Sequence, residues 1–203
     1  MHRAVFLDRD DTLIENNRVT AHTAHPGDLL DPALVRALPG ARAACARLRT
    51  AGYLLIVVTN QAGVAENLCP PETIEAVNDR FREVFGDDFG HARVGDGAGG
   101  GNTGPPVRFD AAYYSPFIKT GVVPRFIADH DWRKPRAGMI TTAAREFGVD
   151  LARSWMVGDA PRDVEAGIAA GISAERCLRI GEGLPFADVG AAAAHILSAD
   201  GHA

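Results

Sequence analysis

Short uninterrupted apolar runs alternate along the chain with longer stretches in which apolar residues recur three and four positions apart. Ala4-Val5-Phe6-Leu7 is four apolar residues ending in charge, the form of a strand buried on both faces of a parallel sheet. Leu54 to Val58 repeats that form, and Ala111 to Tyr114 and Trp155 to Val157 are weaker versions of it. Gly40 to Thr50, Pro71 to Phe85 and Arg136 to Phe147 carry the helical period between them. Pro161 opens another helix, where its missing amide costs nothing, and Gly171 closes it. A strand near Cys177 to Ile180 and a helix near Ala187 to Leu197 complete the pattern. Strands alternating with helices predict an α/β fold with a central parallel sheet and right-handed crossovers.

In such a sheet, ligands bind beyond the carboxyl ends of the strands. The polar clusters fall at those ends: Asp8 after the first strand, Thr59-Asn60-Gln61 after the second and Gly158-Asp159 after the fourth. Two stretches break the rhythm. Residues 14–33 are largely polar and contain Pro26-Gly27, which predicts a loop or flap beside the site. Residues 94–106 are too glycine-rich to offset the entropy of ordering by packing, which predicts a flexible surface insertion. The expected organisation is one domain over residues 1–203, with no large cap domain.

Composition narrows the partners. The 21 Lys and Arg against 26 Asp and Glu give a net charge of −5, which offers no electrostatic basis for nucleic acid or an anionic membrane. No apolar run reaches the ~20 residues that span a bilayer, and the N-terminal apolar stretch is too short for a signal peptide. Cys45, Cys69 and Cys177 are few, odd in number and far apart, as expected of free thiols in a reducing cytoplasm.

The segment Asp8-Arg9-Asp10-Asp11-Thr12 carries the strongest chemical signal. Side chains two apart on extended backbone share a face, so Asp8 and Asp10 can converge, and paired carboxylates suit Mg²⁺ or a division between nucleophile and acid/base. An acidic turn or a helix cap uses the same residue types. Thr59-Asn60-Gln61 offers a hydroxyl and amide donors that can hold phosphate oxygens, although an ordinary strand-to-loop turn would also contain them. Arg133-Lys134 places two cations before a helix. Most such pairs are solvated surface, but a lysine can neutralise phosphate and aspartate together. Asp159 can supply a further metal carboxylate, and Asp163, in the first turn of the following helix, suits either the helix dipole or support of Lys134 and the metal.

Together these segments resemble the haloacid dehalogenase (HAD) superfamily, whose motifs are DxDx[TV], a Thr or Ser at a strand end, Lys, and GDxxxD. Here they are Asp8 to Thr12, Thr59, Lys134, and Gly158-Asp159 through Asp163, in series between residues 4 and 180. The strings FLDRD, VVTNQAGVA, DAAYYSP and RKPRAGM resemble the branch of heptose bisphosphate and histidinol phosphatases. The resemblance implies a Rossmannoid three-layer sandwich, Asp8 as nucleophile, Asp10 as acid/base, and Thr12 in support. It also implies phosphate contacts from Thr59 and Lys134, a substrate contact from Arg133, and Mg²⁺ held by Asp8, Asp159 and the Asp10 carbonyl. A monomer is expected on the same ground.

The expected reaction is Mg²⁺-dependent hydrolysis of a small phosphorylated metabolite through an aspartyl-phosphate. The first candidate substrate is D-glycero-D-manno-heptose 1,7-bisphosphate or a related sugar phosphate. Histidinol phosphate is the alternative substrate, and a phosphotransferase or mutase using the same aspartate is the alternative reaction. Three departures from the branch stand out. That branch carries a structural zinc in a loop reading CPH and then CxCRKP, whereas the matching positions here are Ser115, Phe117, His130 and Trp132. Only His130 is a zinc ligand type, so no zinc is expected. Asp11 replaces a glycine, and Glu66 stands where heptose phosphatases tend to have arginine.

Overall fold

Residues 1–86 and 107–202 are described in the computed structural model, and the stretch expected to be a glycine-rich insertion, 94–106, lies outside the described residues. In chain order the elements are β1 (Ala4–Leu7), α1 (Asn17–Thr20), α2 (Ala41–Thr50), β2 (Leu54–Asn60), α3 (Pro71–Phe85) and β3 (Ala111–Ser115). They continue with α4 (Gly138–Phe147), β4 (Trp155–Gly158), α5 (Pro161–Ala170), β5 (Cys177–Arg179) and α6 (Val189–Ala199). The strands form one parallel sheet in the order β3-β2-β1-β4-β5.

Strand pleating divides the core in two. Val5, Leu7, Leu55 and Val57 point to one face, against Leu48 of α2, Val77 and Phe81 of α3 and Ile196 of α6. Ala4, Phe6, Ile56 and Val58 point to the other, against Met139 and Ala143 of α4 and Ala166 of α5. Each fully buried large aliphatic side chain stabilises the fold by about 1.5–3 kcal/mol. Both faces of β1 are covered, which is why its sequence is apolar at every position instead of alternating.

The topology places the site. From β1 the chain steps to β2 and β3 on one side, then returns to β4 on the other, so β1 lies at the switch point. Leu7 pairs with Val57 of β2 and Val157 of β4, and the Asp8 amide donates to Val157 O at 2.9 Å. β1 and β4 therefore end nearly level, while β2 runs on beside β3 so that Thr59 and Asn60, expected after it, form its last two residues.

Two expectations change in detail. Residues 14–33 are more structured than a polar flap. They hold α1 and lead into a 3₁₀ turn at Pro32–Leu34, and Asn16, Thr20 and Leu29 are buried. The cause is local hydrogen bonding: Thr20 Oγ1 donates to Asn16 O (2.8 Å) and accepts from Gly27 N (2.9 Å), while Asn16 Nδ2 donates to Gly27 O (2.7 Å). The helix expected from Arg136 begins at Gly138, because the preceding residues turn back, Arg136 N donating to Arg133 O.

Gly158 ends β4 at a close approach. A Cβ built there would lie 2.4 Å from Asp163 Cβ and 2.5 Å from its carboxylate. Gly158→Ala is expected to destabilise the protein by about 1–3 kcal/mol, the usual cost of overpacking, as a lower urea midpoint at unchanged slope.

Candidate active site

Lys134 anchors the site. Its ammonium is buried and contacts Asp8 Oδ1 at 2.6 Å, Asp163 Oδ1 at 2.7 Å and Val58 O at 2.7 Å. Burial acts to lower its pKa, but Asp8 and Asp163 outweigh burial and raise it, keeping the group charged. Its backbone is fixed by Asn60, whose Nδ2 donates to Lys134 O and whose Oδ1 accepts from Lys134 N, both at 3.0 Å. Asn60, expected on phosphate, is thus engaged with the lysine main chain.

Asp8, Asp159 and Asp163 bring carboxylate oxygens within 4.8 Å of one another. Asp163 is held by two partners, since its Oδ2 accepts the Ala160 amide at 3.0 Å while Oδ1 meets Lys134. Its position in the first turn of α5 lets one carboxylate meet the helix N-terminus and the Lys134 ammonium together. Burial pushes Asp8 up to about 7, with Asp163 and Asp10 adding to the rise and Lys134 opposing it. Burial, then Asp163, also raises Asp159. One oxygen of Asp159 is buried without a hydrogen-bond partner. Three crowded carboxylates, two of them on one lysine and the third with an unpartnered oxygen, fit a hard divalent cation with oxygen ligands.

The Asp10 carboxylate takes a different course from the convergence expected on extended backbone. It lies against the buried Arg9 guanidinium (Nε to Oδ1 2.9 Å, Nη2 to Oδ2 3.1 Å) and accepts from Gln61 Nε2 at 2.8 Å. Arg9 Nη1 in turn donates to Asn78 Oδ1 on α3 at 2.7 Å. Gln61 also donates to Thr59 Oγ1 at 3.0 Å, and Thr12 is buried with its hydroxyl unpartnered. Beside Thr12 and Asp159 lies a cavity of about 530 Å³, lined also by Asp11, Arg179 and Glu182.

Arg9 and Asn78 were not singled out by sequence reasoning, and Gln61, read as an amide donor for phosphate, here donates to Asp10 and Thr59. Asn78 carried a signal: it sits in the buried stripe of Ile74, Val77, Phe81 and Phe85, where a polar residue needs a polar partner. Arg9, between two aspartates, reads as solvated and carried none.

Asp11 explains its own substitution. Its φ is +54°, in the left-handed region that favours glycine, and aspartate tolerates that region better than most residues. In return its Oδ1 accepts from Asn16 N (2.8 Å) and Asn17 N (3.1 Å), tying the start of α1 to the catalytic-motif loop. Arg133 is half-buried and donates through Nη1 to Phe117 O at 3.0 Å. Burial and the neighbouring Arg162 lower its pKa, while Glu66 opposes them. Among the described residues, no helix is long and apolar enough to cross a membrane.

Comparison with known proteins agrees with this geometry. The family profile described as HAD-hydrolase-like matches residues 131–175, the span holding Arg133, Lys134, Asp159 and Asp163. The D-glycero-beta-D-manno-heptose-1,7-bisphosphate 7-phosphatase of Vibrio cholerae is 30% identical over 194 residues, covering 96% of this chain and 89% of its own. The protein of the same description from Mesorhizobium japonicum is 32% identical over 170 residues, 84% of this chain, and the match spans 66% of that relative. Among solved structures, the D,D-heptose 1,7-bisphosphate phosphatase of B. bronchiseptica, crystallised with magnesium and phosphate, superposes with a TM-score of 0.71. That match has 25% identity and covers 97% of this chain and 99% of that one. The chain is a member of the haloacid dehalogenase superfamily of hydrolases, related within it to the heptose 1,7-bisphosphate phosphatases.

Proposed function

We propose that this protein is a Mg²⁺-dependent phosphatase that hydrolyses a small sugar phosphate through an aspartyl-phosphate on Asp8, with heptose 1,7-bisphosphate the first candidate substrate. The observation that carries this reading is the buried Lys134 ammonium spanning Asp8 and Asp163, with the unpartnered Asp159 oxygen beside them. The names of the relatives support the substrate class.

In the first step Asp8 attacks phosphorus, an Asp8 O–P bond forming as the bond to the leaving oxygen breaks. Asp10 supplies the proton that the leaving oxygen takes up, which requires its carboxylate to release Arg9 and Gln61. In the second step Asp10 accepts a proton from water as the water oxygen bonds phosphorus and the Asp8 O–P bond breaks. Lys134 offsets negative charge on Asp8 before attack and on the phosphoryl oxygens afterwards, without reorganising. Thr59 orients those oxygens through its hydroxyl, and Arg133 faces the organic part of the substrate.

Asp8 and Asp159, with the Asp10 carbonyl, would hold the cation, and Asp163 would keep Lys134 in place beside it. When bound, the cation supplies charge neutralisation for the phosphoryl group. The residues at positions 115, 117, 130 and 132 do not supply the four donors of a structural zinc, so no zinc is assigned.

Phosphate release from a panel of sugar phosphates, heptose bisphosphates and histidinol phosphate tests the assignment. Turnover of a heptose bisphosphate is expected, and absence of release from every compound at saturating Mg²⁺ would refute it. Asp8→Asn is expected to lower kcat by on the order of 10⁴-fold or more, and Asp10→Asn by about 10²–10⁴-fold. An Asp8→Asn enzyme of near-normal turnover would remove Asp8 from the nucleophile's role.

The raised Asp8 pKa adds a prediction that needs no substrate. Without metal, the folded state keeps a proton on Asp8 that the unfolded chain releases near 3.8, so this contribution to stability falls as pH rises from there through about 7. Metal binding must expel that proton, so Mg²⁺ binds more tightly as pH rises across the window. A fixed Mg²⁺ concentration, ~100 times the Kd at pH 8, is expected to add about 2.7 kcal/mol there, with a smaller Tm shift at pH 6. Asp159→Asn is expected to remove most of the shift at both pH values. An equal shift in the Asp159→Asn variant would place the metal elsewhere.

A further inference from the structure

Residues 116–137 join β3 to α4 and present Arg133 and Lys134 to the site, yet their regular structure is one 3₁₀ turn, Pro124–Phe126, and an isolated bridge between Ile118 and Ile127. A segment with so little backbone ladder needs another source of order. Part of it comes from Ala65, whose carbonyl accepts from Val122 N (2.7 Å) and Val123 N (2.9 Å). Gly121 comes so near that a Cβ there would lie 2.8 Å from the same oxygen.

The Asn60 bonds to the Lys134 main chain and ion pairs of Asp129 with Lys119 (2.8 Å) and Arg136 (2.6 Å) add to this order, and rings supply a further part. Phe117 stacks on His130 with centroids 3.9 Å apart and planes 12° from parallel. Phe126 meets Phe117 edge-on at 5.9 Å, and Trp132 meets Tyr113 of β3 edge-on at 5.8 Å, which links the loop to the sheet. His130 Nδ1 accepts the Trp132 amide at 3.1 Å, which leaves the neutral ring's proton on Nε2.

Both ends of Arg133 are tied to the two stacked residues. Its main-chain amide donates to His130 O at 3.0 Å, and its guanidinium donates to Phe117 O at 3.0 Å. Phe117, His130 and Trp132 occupy three of the positions where the resembled branch places zinc ligands, and the one nitrogen donor among them already accepts a hydrogen bond through Nδ1.

We propose that the Phe117–His130 stack is a metal-free staple that positions Arg133, and through it the adjoining Lys134, for substrate. Phe117 and His130 are positioning residues, acting by ring contact and not by imidazole chemistry. The kinetic part of this proposal rests on the phosphatase reading. The structural part stands apart from it.

The test compares His130→Ala, His130→Phe and Arg133→Ala for kinetics, and the first two for amide hydrogen exchange. Aromatic pairs of this kind correspond to about two- to tenfold in an equilibrium. His130→Ala is expected to raise KM by about that factor with a smaller change in kcat. The Arg133 amide should exchange faster by a similar factor, with β1 and β4 unchanged. His130→Phe restores the ring and should return both quantities most of the way to wild type. In an Arg133→Ala background, His130→Ala should add little further effect on KM, because the staple acts through that arginine.

The proposal is overturned if His130→Phe is as impaired as His130→Ala, if the two alanine effects multiply, or if His130→Ala leaves exchange and KM unchanged. Phe117→Leu, which keeps bulk and loses the stack, replaces His130→Ala if that variant does not fold. A wild-type protein that releases no phosphate defeats the phosphatase reading, and exchange alone then decides the staple.

Discussion

A single buried ammonium sets the terms for the rest of the molecule. Taking a lysine out of water costs several kcal/mol unless its donors are met, and Lys134 meets three acceptors: Asp8, Asp163 and the Val58 carbonyl. Each acceptor comes from a different part of the fold, namely the end of β1, the start of α5 and the middle of β2. The lysine is therefore stable only if all three elements are in register. The register of β1 with β2 and β4, the Gly158 close approach and the two faces of apolar packing all serve that meeting.

The same demand explains a second polar layer behind the first. Arg9 is fully buried and would be costly alone, but it lies bidentate on Asp10 and reaches Asn78 across the core. Lys134 thus attends Asp8 while Arg9 attends Asp10. Two carboxylates two residues apart are given separate cations, and that division keeps like charges from sharing one site at rest. It also sets the proposed general acid apart from the nucleophile until substrate arrives.

Much of this was legible in the sequence because apolar runs and strand-end acids are local signals. β1 and α3 have the predicted bounds, and Asp8, Lys134, Asp159 and Asp163 converge as the series of motifs implied. What escaped depended on partners distant in sequence. Asn60 looked like a phosphate ligand because its type and position suited one, but Lys134, 74 residues away, engages both ends of its amide. The order in residues 14–33 escaped because it is carried by side-chain-to-backbone bonds of Asn16 and Thr20, which leave no periodicity to read. Arg9 escaped because burial of an arginine is decided by the residue across the core.

The loop at 116–137 shows how one architectural requirement can be met by different chemistry. The requirement is that Arg133 and Lys134 leave an irregular segment at a fixed place beside Asp8. Coordination bonds would meet it through four donors around a metal. Rings meet it through area and stacking, provided the backbone carbonyls of the stacked residues face the group to be held, as those of Phe117 and His130 face Arg133. The two solutions differ in their dependence on surroundings. A metal clip loosens when the ion is removed or its ligands are protonated or oxidised, whereas a ring stack needs no ion. Beside this loop, the residues of 14–33 meet Glu66, which adds to burial in raising the Asp28 pKa, and Asp11, which accepts the amides of Asn16 and Asn17.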